Sequence, residues 1–264
     1  MKSPTERMIA EIDGPIGWLV FNNPARRNAV SMDMWQAIPE ILGAYERDPA
    51  VRVIVLKGAG DKAFVSGADI SEFEQNRSSP ELVARYDEIG AAAQRALETV
   101  SKPTIAMIHG FCMGGGVGVA LSCDLRIASE SAQFGIPAAR LGISYRLAGI
   151  VKLLDLVGPA YAKEIFYTAR RFTAAEALGM GLVNRVLADG ELEKFVRGYS
   201  ATIAENAPLS LSAAKQIIAE VTKVPAEIDR ARCEALVKQC FESEDYVEGR
   251  RAFMEKRKPQ FKGR

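Results

Sequence analysis

A chain of 264 residues with 48% hydrophobic and 25% charged side chains has an ordinary water-compatible composition and enough length to bury a sizeable core. Its formal charge of +1 excludes an electrostatic case for nucleic acid or an anionic membrane surface as partner. Cys112, Cys123, Cys233 and Cys240 form no metal-type pair spacing. Three of them fall in apolar-patterned segments, which predicts free buried thiols in a reducing compartment. Met1–Arg7 lacks the apolar centre of a signal peptide, and no segment approaches a membrane span. A cytoplasmic location without a metal site is the expectation.

Met8–Asp13 and Gly17–Phe21 flank Gly14-Pro15 as the two arms of a hairpin, and Asn22-Asn23-Pro24 ends it in a turn. Ala25–Ala29 is a loop carrying Arg26 and Arg27. Ser31 is a fair N-cap for a helix reaching about Arg47. Val51–Leu56 is β-branched and reads as a strand, Gly58–Gly67 as a loop, and Pro80–Val100 as a long amphipathic helix. Pro103–Ile108 is a short apolar run without helical period, which suits a strand covered on both faces. From Cys123 to Ala128, apolar Cys123, Leu125 and Ile127 alternate with Asp124 and Arg126, as on a half-buried strand.

Phe134–Gly149 reads as irregular, followed by helical patterns at Ile150–Leu156, Pro159–Thr168 and Thr173–Leu178, with a short closing strand within Gly181–Leu187. From Glu191 onward only helices are predicted, at about Glu191–Asn206, Leu209–Val221, Ala226–Phe241 and Asp245–Lys256. Strands alternate with helices first and helices alone follow, which predicts βα repeats with a helical C-terminal part.

Gly114, Gly115 and Gly116 stand where a strand should turn into a helix. Bare N–H groups at a helix start suit an oxyanion, and tight helix–strand packing accounts for the same three residues equally well. Phe64-Val65-Ser66-Gly67-Ala68-Asp69-Ile70 is a second turn into a short helix, with Asp69 as its cap. Two donors, one from each turn, can converge on the oxygen of a thioester carbonyl.

The chain resembles the crotonase (enoyl-CoA hydratase/isomerase) superfamily nearly end to end. Asn22-Asn23-Pro24 with Asn28-Ala29-Val30, Phe64 to Ile70, and His109-Gly110 to Asp124 carry the likeness. Phe134-Gly135-Ile136-Pro137, Phe172 to Ala177, Gly181 to Asn184 and Glu255 to Pro259 continue it in the same order. The resemblance implies an α/β fold of the crotonase type, a spiral of ββα repeats. A core over residues 1–205 would hold the acyl-CoA site, and a helical region over 206–264 would serve trimerisation and capping. It implies an acyl-CoA thioester substrate, no cofactor beyond the coenzyme A of that substrate, and a homotrimer or a dimer of trimers. The Ala68 and Gly115 N–H groups become the oxyanion hole, and Arg26, Ala29, Ala68, Asp69, Ile70 and Lys256 become neighbours of the coenzyme A.

The likeness breaks at two places. Enoyl-CoA hydratases place glutamates where this chain has Gly118 and Ala138, and related isomerases need an acid at the second. Leu141-Gly142-Ile143-Ser144-Tyr145 instead resembles methylmalonyl-CoA decarboxylase, in which the matching tyrosine holds the departing carboxylate, although that enzyme has histidine where this chain has Ala68. Decarboxylation needs an aligned C–CO₂ bond and a stabilised enolate but no starting base, so Ala68, Gly115 and Tyr145 would suffice. The expectation is therefore a decarboxylase of methylmalonyl-CoA-like substrates. The alternatives are an enoyl-CoA hydratase/isomerase with other acid–base groups, or an acyl-CoA binder without activity. Tyr145 as a packed aromatic, Arg140 and Arg146 as solvated charges, and His109 as a structural residue are the plainer readings of those side chains. Phe111, Met113, Ile143 and Leu147 are expected in the pocket wall.

Overall fold

The computed structural model describes residues 3–72, 78–223 and 225–264. Strand β1 (Met8–Asp13) and β2 (Ile16–Phe21) form the expected hairpin, paired from Met8↔Phe21 to Asp13↔Ile16. Helix α1 (Met32–Arg47) leads to β3 (Val53–Gly58), β4 (Ala63–Val65) and α2 (Pro80–Thr99). The same order then recurs: β5 (Thr104–Ile108), β6 (Phe111–Met113), α3 (Gly115–Leu121), then β7 (Leu125–Ser129), β8 (Gln133–Gly135), α4 (Leu147–Thr168). Strand β9 (Phe172–Thr173), α5 (Ala174–Gly179) and β10 (Arg185–Leu187) close the core. Helices α6 (Leu192–Ala204), α7 (Pro208–Val221), α8 (Arg230–Phe241) and α9 (Glu244–Glu255) follow.

Each ββα repeat gives one strand to each of two sheets. The larger runs β1-β2-β3-β5-β7-β10 and the smaller β4-β6-β8-β9. In the sequence β4, β6 and β8 are invisible, because three residues are too few to show a period: β4 falls in the predicted Gly58–Gly67 loop, β8 reaches into the irregular Phe134–Gly149 stretch, and no element is predicted at Phe111–Met113. The helical patterns on either side of Gly158 form one element, α4, broken where Gly158 takes φ 71° ahead of Pro159.

All of β2 and β5 and most of β3 are buried, because the larger sheet is covered on both faces. Leu19, Phe21, Ile54, Leu56, Ala106 and Ile108 face α1 and the smaller sheet. Trp18, Val20, Val53, Val55, Ile105 and Met107 face Leu192 and Val196 of α6. Arg126, expected on a solvated strand face, is buried instead. Its guanidinium donates to the Leu182 carbonyl at 2.9 Å and the Cys123 carbonyl at 2.7 Å, which satisfies it without a carboxylate. Cys112 and Cys123 are buried, whereas Cys233 and Cys240 are only half-buried.

The C-terminal segment closes one end of the sheet. Arg52, just before β3, donates to Asn206 O at 3.0 Å and Phe261 O at 3.3 Å. Lys215 bridges Lys102 O at 3.1 Å, just before β5, and Asp124 Oδ2 at 3.0 Å, just before β7. Asp245 accepts from the Lys262 and Gly263 N–H groups at 2.6 and 2.8 Å and folds the last residues back. These contacts lie at the N-terminal ends of the parallel strands, so the loops after their C-terminal ends stay open. No helix among the described residues is long and apolar enough to cross a membrane.

Helix α3 packs closely on β4, and Gly116 shows how closely. A Cβ there would lie 2.1 Å from the Val65 carbonyl oxygen. Gly116→Ala should therefore lower stability by roughly 1–3 kcal/mol. An unchanged urea-denaturation midpoint would show that the backbone yields at this point.

Candidate active site

Two loops at the open end are held against each other through residues 27–30. Asn28, buried at φ 56°, donates through Nδ2 to Ala63 O at 2.7 Å and Ala59 O at 3.0 Å and accepts from Asn23 N–H at 3.0 Å. The side chain thus satisfies backbone groups that the tight turn leaves over. Ser66 N–H donates to Arg27 O at 3.1 Å, Val30 N–H to Gly67 O at 2.8 Å, and Asp69 N–H to Val30 O at 2.9 Å. Val30 and Ala68 are therefore bridged as in a parallel ladder, in which residues 67 and 69 make the bonds. The N–H of Ala68 itself points to the other side.

Gly115 lies on that other side. A Cβ built on it would sit 3.5 Å from the Ala68 nitrogen. Its own N–H is the first of α3, one of the donors a helix start leaves without an internal partner. Among the described residues neither N–H donates to any protein group. The three glycines divide the work: Gly114 takes the turn at φ 53°, Gly115 offers the N–H, and Gly116 packs on Val65. Close packing therefore belongs to Gly116, and the unused N–H to Gly115.

Tyr145 reaches the same turn. Its hydroxyl lies 3.7 Å from where a Cβ on Gly114 would be, and its ring packs edge-on to Phe166 with centroids 5.3 Å apart. Burial, with a smaller contribution from the Cys112 thiol, raises its pKa, so it remains a neutral O–H donor at physiological pH. The hydroxyl has no hydrogen-bond partner among the described residues. Ala138 is buried in the turn Pro137–Leu141, and Gly118 lies one turn along α3 from Gly114. Neither carries a proton.

The expected coenzyme A neighbours divide. Ala29 is buried and its carbonyl accepts from Asn23 Nδ2 at 3.1 Å, while Ile70 opens the short turn Ile70–Glu72. Arg26 is not a free cation. It donates to both Asp69 oxygens, at 2.8 and 3.1 Å, and to Ser71. Burial works against ionisation of Asp69, but bonds from Ser71 and Arg26 prevail and hold its carboxyl below the ordinary range. Lys256 ends α9 in the left-handed conformation, exposed, and no ion pair among the described residues joins it to Asp69. Phe111 and Met113 line, with Arg27, Ser66, Arg140 and Arg171, a cleft of about 250 Å³, and Cys112 between them is buried. Ile143 and Leu147 are exposed, and Arg146 is tied to Asp87.

His109 hydrogen-bonds the Gly60 backbone, and burial lowers its pKa, so it stays neutral with Nε2 buried and unpartnered among the described residues. Asp124, read as a surface residue, accepts from Thr104 N–H at 2.7 Å and from Lys215. Sequence reasoning passed over Gln94. Its amide nitrogen lies 3.1 Å from where a Cβ on Gly118 would be, a contact between distant segments with no sequence signal.

The profile of one protein family, enoyl-CoA hydratase/isomerase, matches residues 11–264. A short-chain-enoyl-CoA hydratase of Clostridium acetobutylicum is 36% identical over 97% of this chain and 98% of its own. A crotonyl-CoA hydratase of Syntrophomonas wolfei is 38% identical over the same shares. The crystal structure of an enoyl-CoA hydratase from Bacillus anthracis superposes with a TM-score of 0.89 at 32% identity, covering 98% of this chain and 100% of that one.

The Asp69–Arg26 pair yields a pH prediction. With the folded pKa below the unfolded one, its stabilisation is complete above the ordinary carboxylate range and is lost as pH falls through the folded value. Asp69→Asn should cost about 1–3 kcal/mol at neutral pH, with the gap to wild type narrowing below about pH 4. Melting temperatures of both proteins against pH would check this, and a gap constant down to pH 3 would contradict it.

Proposed function

The chain belongs to the enoyl-CoA hydratase/isomerase family, and from that premise we propose that it binds a short-chain acyl-CoA thioester and acts on it through the thioester enolate. The observation that carries this is the convergence of the unpartnered Ala68 and Gly115 N–H groups from two separately built loops. The carbonyl oxygen sits between them, where charge grows as the enolate forms, and one such donor lowers the barrier by about 3 kcal/mol. Arg26, held by Asp69, is placed beside the loop on which the coenzyme A would lie.

Addition of water to a 2-enoyl thioester, or its reverse, is the net reaction that the relatives' names support over decarboxylation. The proton-bearing group at the glycine turn is Tyr145, since Gly118 and Ala138 replace the acids that the resemblance leads one to expect. In this reading the water oxygen bonds the β-carbon while the Tyr145 oxygen takes one proton from that water and its own O–H proton passes to the α-carbon. The tyrosine ends neutral, and the two N–H groups hold the enolate oxygen between. Burial raises its pKa and keeps the hydroxyl protonated for this relay.

The same observation favours a second reading. Loss of carbon dioxide from a malonyl-type thioester breaks the C–C bond, moves the electron pair into the enolate, and then needs one proton at the α-carbon. No carboxylate is required, and Tyr145 O–H would align the departing group. Assembly as a homotrimer or a dimer of trimers, and the role of the C-terminal helices in it, belong to the same proposal.

Crotonyl-CoA and methylmalonyl-CoA incubated together and followed by mass spectrometry separate the readings. A gain of 18 mass units on the first, roughly one water, supports hydration. Loss of carbon dioxide from the second with crotonyl-CoA untouched supports decarboxylation, and no change in either refutes both. Tyr145→Phe should cut turnover at least tenfold while leaving coenzyme A affinity unchanged, and undiminished turnover would remove Tyr145 from the mechanism.

A further inference from the structure

One face of α3 borders open space. Gly114, Gly115, Gly118 and Leu121 are partly exposed, while Gly116, Val117, Val119 and Ala120 are buried. The exposed set repeats every three or four residues, as one side of a helix does. Tyr145 stands over the start of this face, its hydroxyl 3.7 Å from the Cβ position of Gly114. Gln94 of α2 stands over Gly118, its Nε2 3.1 Å from the Cβ position there. The two polar tips thus stand over the start of α3, one at the capping glycine and one at Gly118 four residues on.

The charged groups around them are already matched. Asp87, Gln94 and Glu98 share one side of α2 at spacings of seven and four. Asp87 pairs with Arg146, and Glu98 pairs with Lys152 and accepts from Ser122 Oγ at 3.0 Å. Gln94 lies between these two ion pairs, and no hydrogen bond among the described residues takes up its amide. Tyr145 O–H is likewise unused.

We propose that Gln94 is a specificity-determining residue: with Tyr145, it selects acyl-CoA thioesters that carry an oxygen on the acyl chain close to the thioester. An all-hydrocarbon acyl group would push water off both side chains and leave an amide and a hydroxyl with nothing to bind. An oxygen-bearing group satisfies both, and a site built to hydrogen-bond such a group discriminates strongly against an analogue that lacks it. The absence of a side chain at Gly118 is what admits the Gln94 amide to this position. A carboxylate and a hydroxyl share this chemistry, and the ligand panel tells them apart. The inference rests on the acyl-CoA reading.

The test measures dissociation constants of the full chain for methylmalonyl-CoA, 3-hydroxybutyryl-CoA and butyryl-CoA by calorimetry. Wild type should bind one or both of the oxygenated thioesters about tenfold more tightly than butyryl-CoA. Which of the two gains identifies the group as carboxylate or hydroxyl. Gln94→Leu should shrink that preference severalfold, weakening the oxygenated thioesters while sparing or tightening butyryl-CoA, and Tyr145 retains the remainder. Gly118→Ala, which crowds the amide without changing it, should reduce the same preference and serves as the independent variant if Gln94→Leu does not fold. Equal weakening for all three thioesters, or an unaltered preference in both variants, overturns the role of Gln94 while leaving the acyl-CoA reading in place. Failure of wild type to bind any of the three overturns both.

Discussion

The structure depends on a backbone passing from one sheet to the next with no room for a side chain. At Gly58 a Cβ would meet the Ala63 carbonyl oxygen at 2.1 Å, at Gly110 the Lys62 oxygen at 2.1 Å, and at Gly116 the Val65 oxygen at 2.1 Å. The first two mark strands of the larger sheet handing the chain to strands of the smaller one. The third presses α3 onto β4. Because carbonyl groups sit at contact distance, the loops that follow have little freedom, and a rigid pair of donors costs no reorganisation when charge develops between them.

Rigidity at the open end comes from polar groups satisfied locally. Asn28 closes three backbone bonds, and the residue 27–30 segment pairs with the loop around Ala68 as a miniature parallel ladder. Ladder geometry turns the Ala68 N–H away from its own partner strand, which creates the unused donor. Arg126 does comparable work at the other side of the core, its guanidinium spent on carbonyls beneath α3. The C-terminal helices are anchored to Arg52, Lys102 and Asp124 at the opposite end of the sheet. The anchoring contacts and the loops with unused N–H groups thereby lie at separate ends of the strands.

Much of the fold was legible wherever a pattern ran long enough. The hairpin, α1, α2, β5 and the C-terminal helices followed from hydrophobic period and turn residues, with ends off by at most four residues. The smaller sheet was not, because β4, β6 and β8 hold three residues each and owe their form to neighbours distant in sequence. Arg126 was misplaced for a related reason: alternation cannot distinguish a solvated charge from a buried one whose partners come from other segments. Arg26 looked like a free cation because its partner lies 43 positions away.

The sequence by itself determined the family, the alternation of strands and helices with helices alone at the end, the two glycine turns, and the absence of a carboxylate at Gly118 and Ala138. These are matters of residue identity and local pattern. Tertiary structure alone decided that Gly115 lies against the Ala68 nitrogen with both N–H groups unused, that Tyr145 reaches the turn at Gly114, that Arg26 is committed to Asp69, and that Gln94 covers Gly118. Each of those depends on directions that side chains and N–H groups take once sheets cross and helices pack. Direction in space is set by contacts between segments far apart in the chain, and no local pattern encodes it.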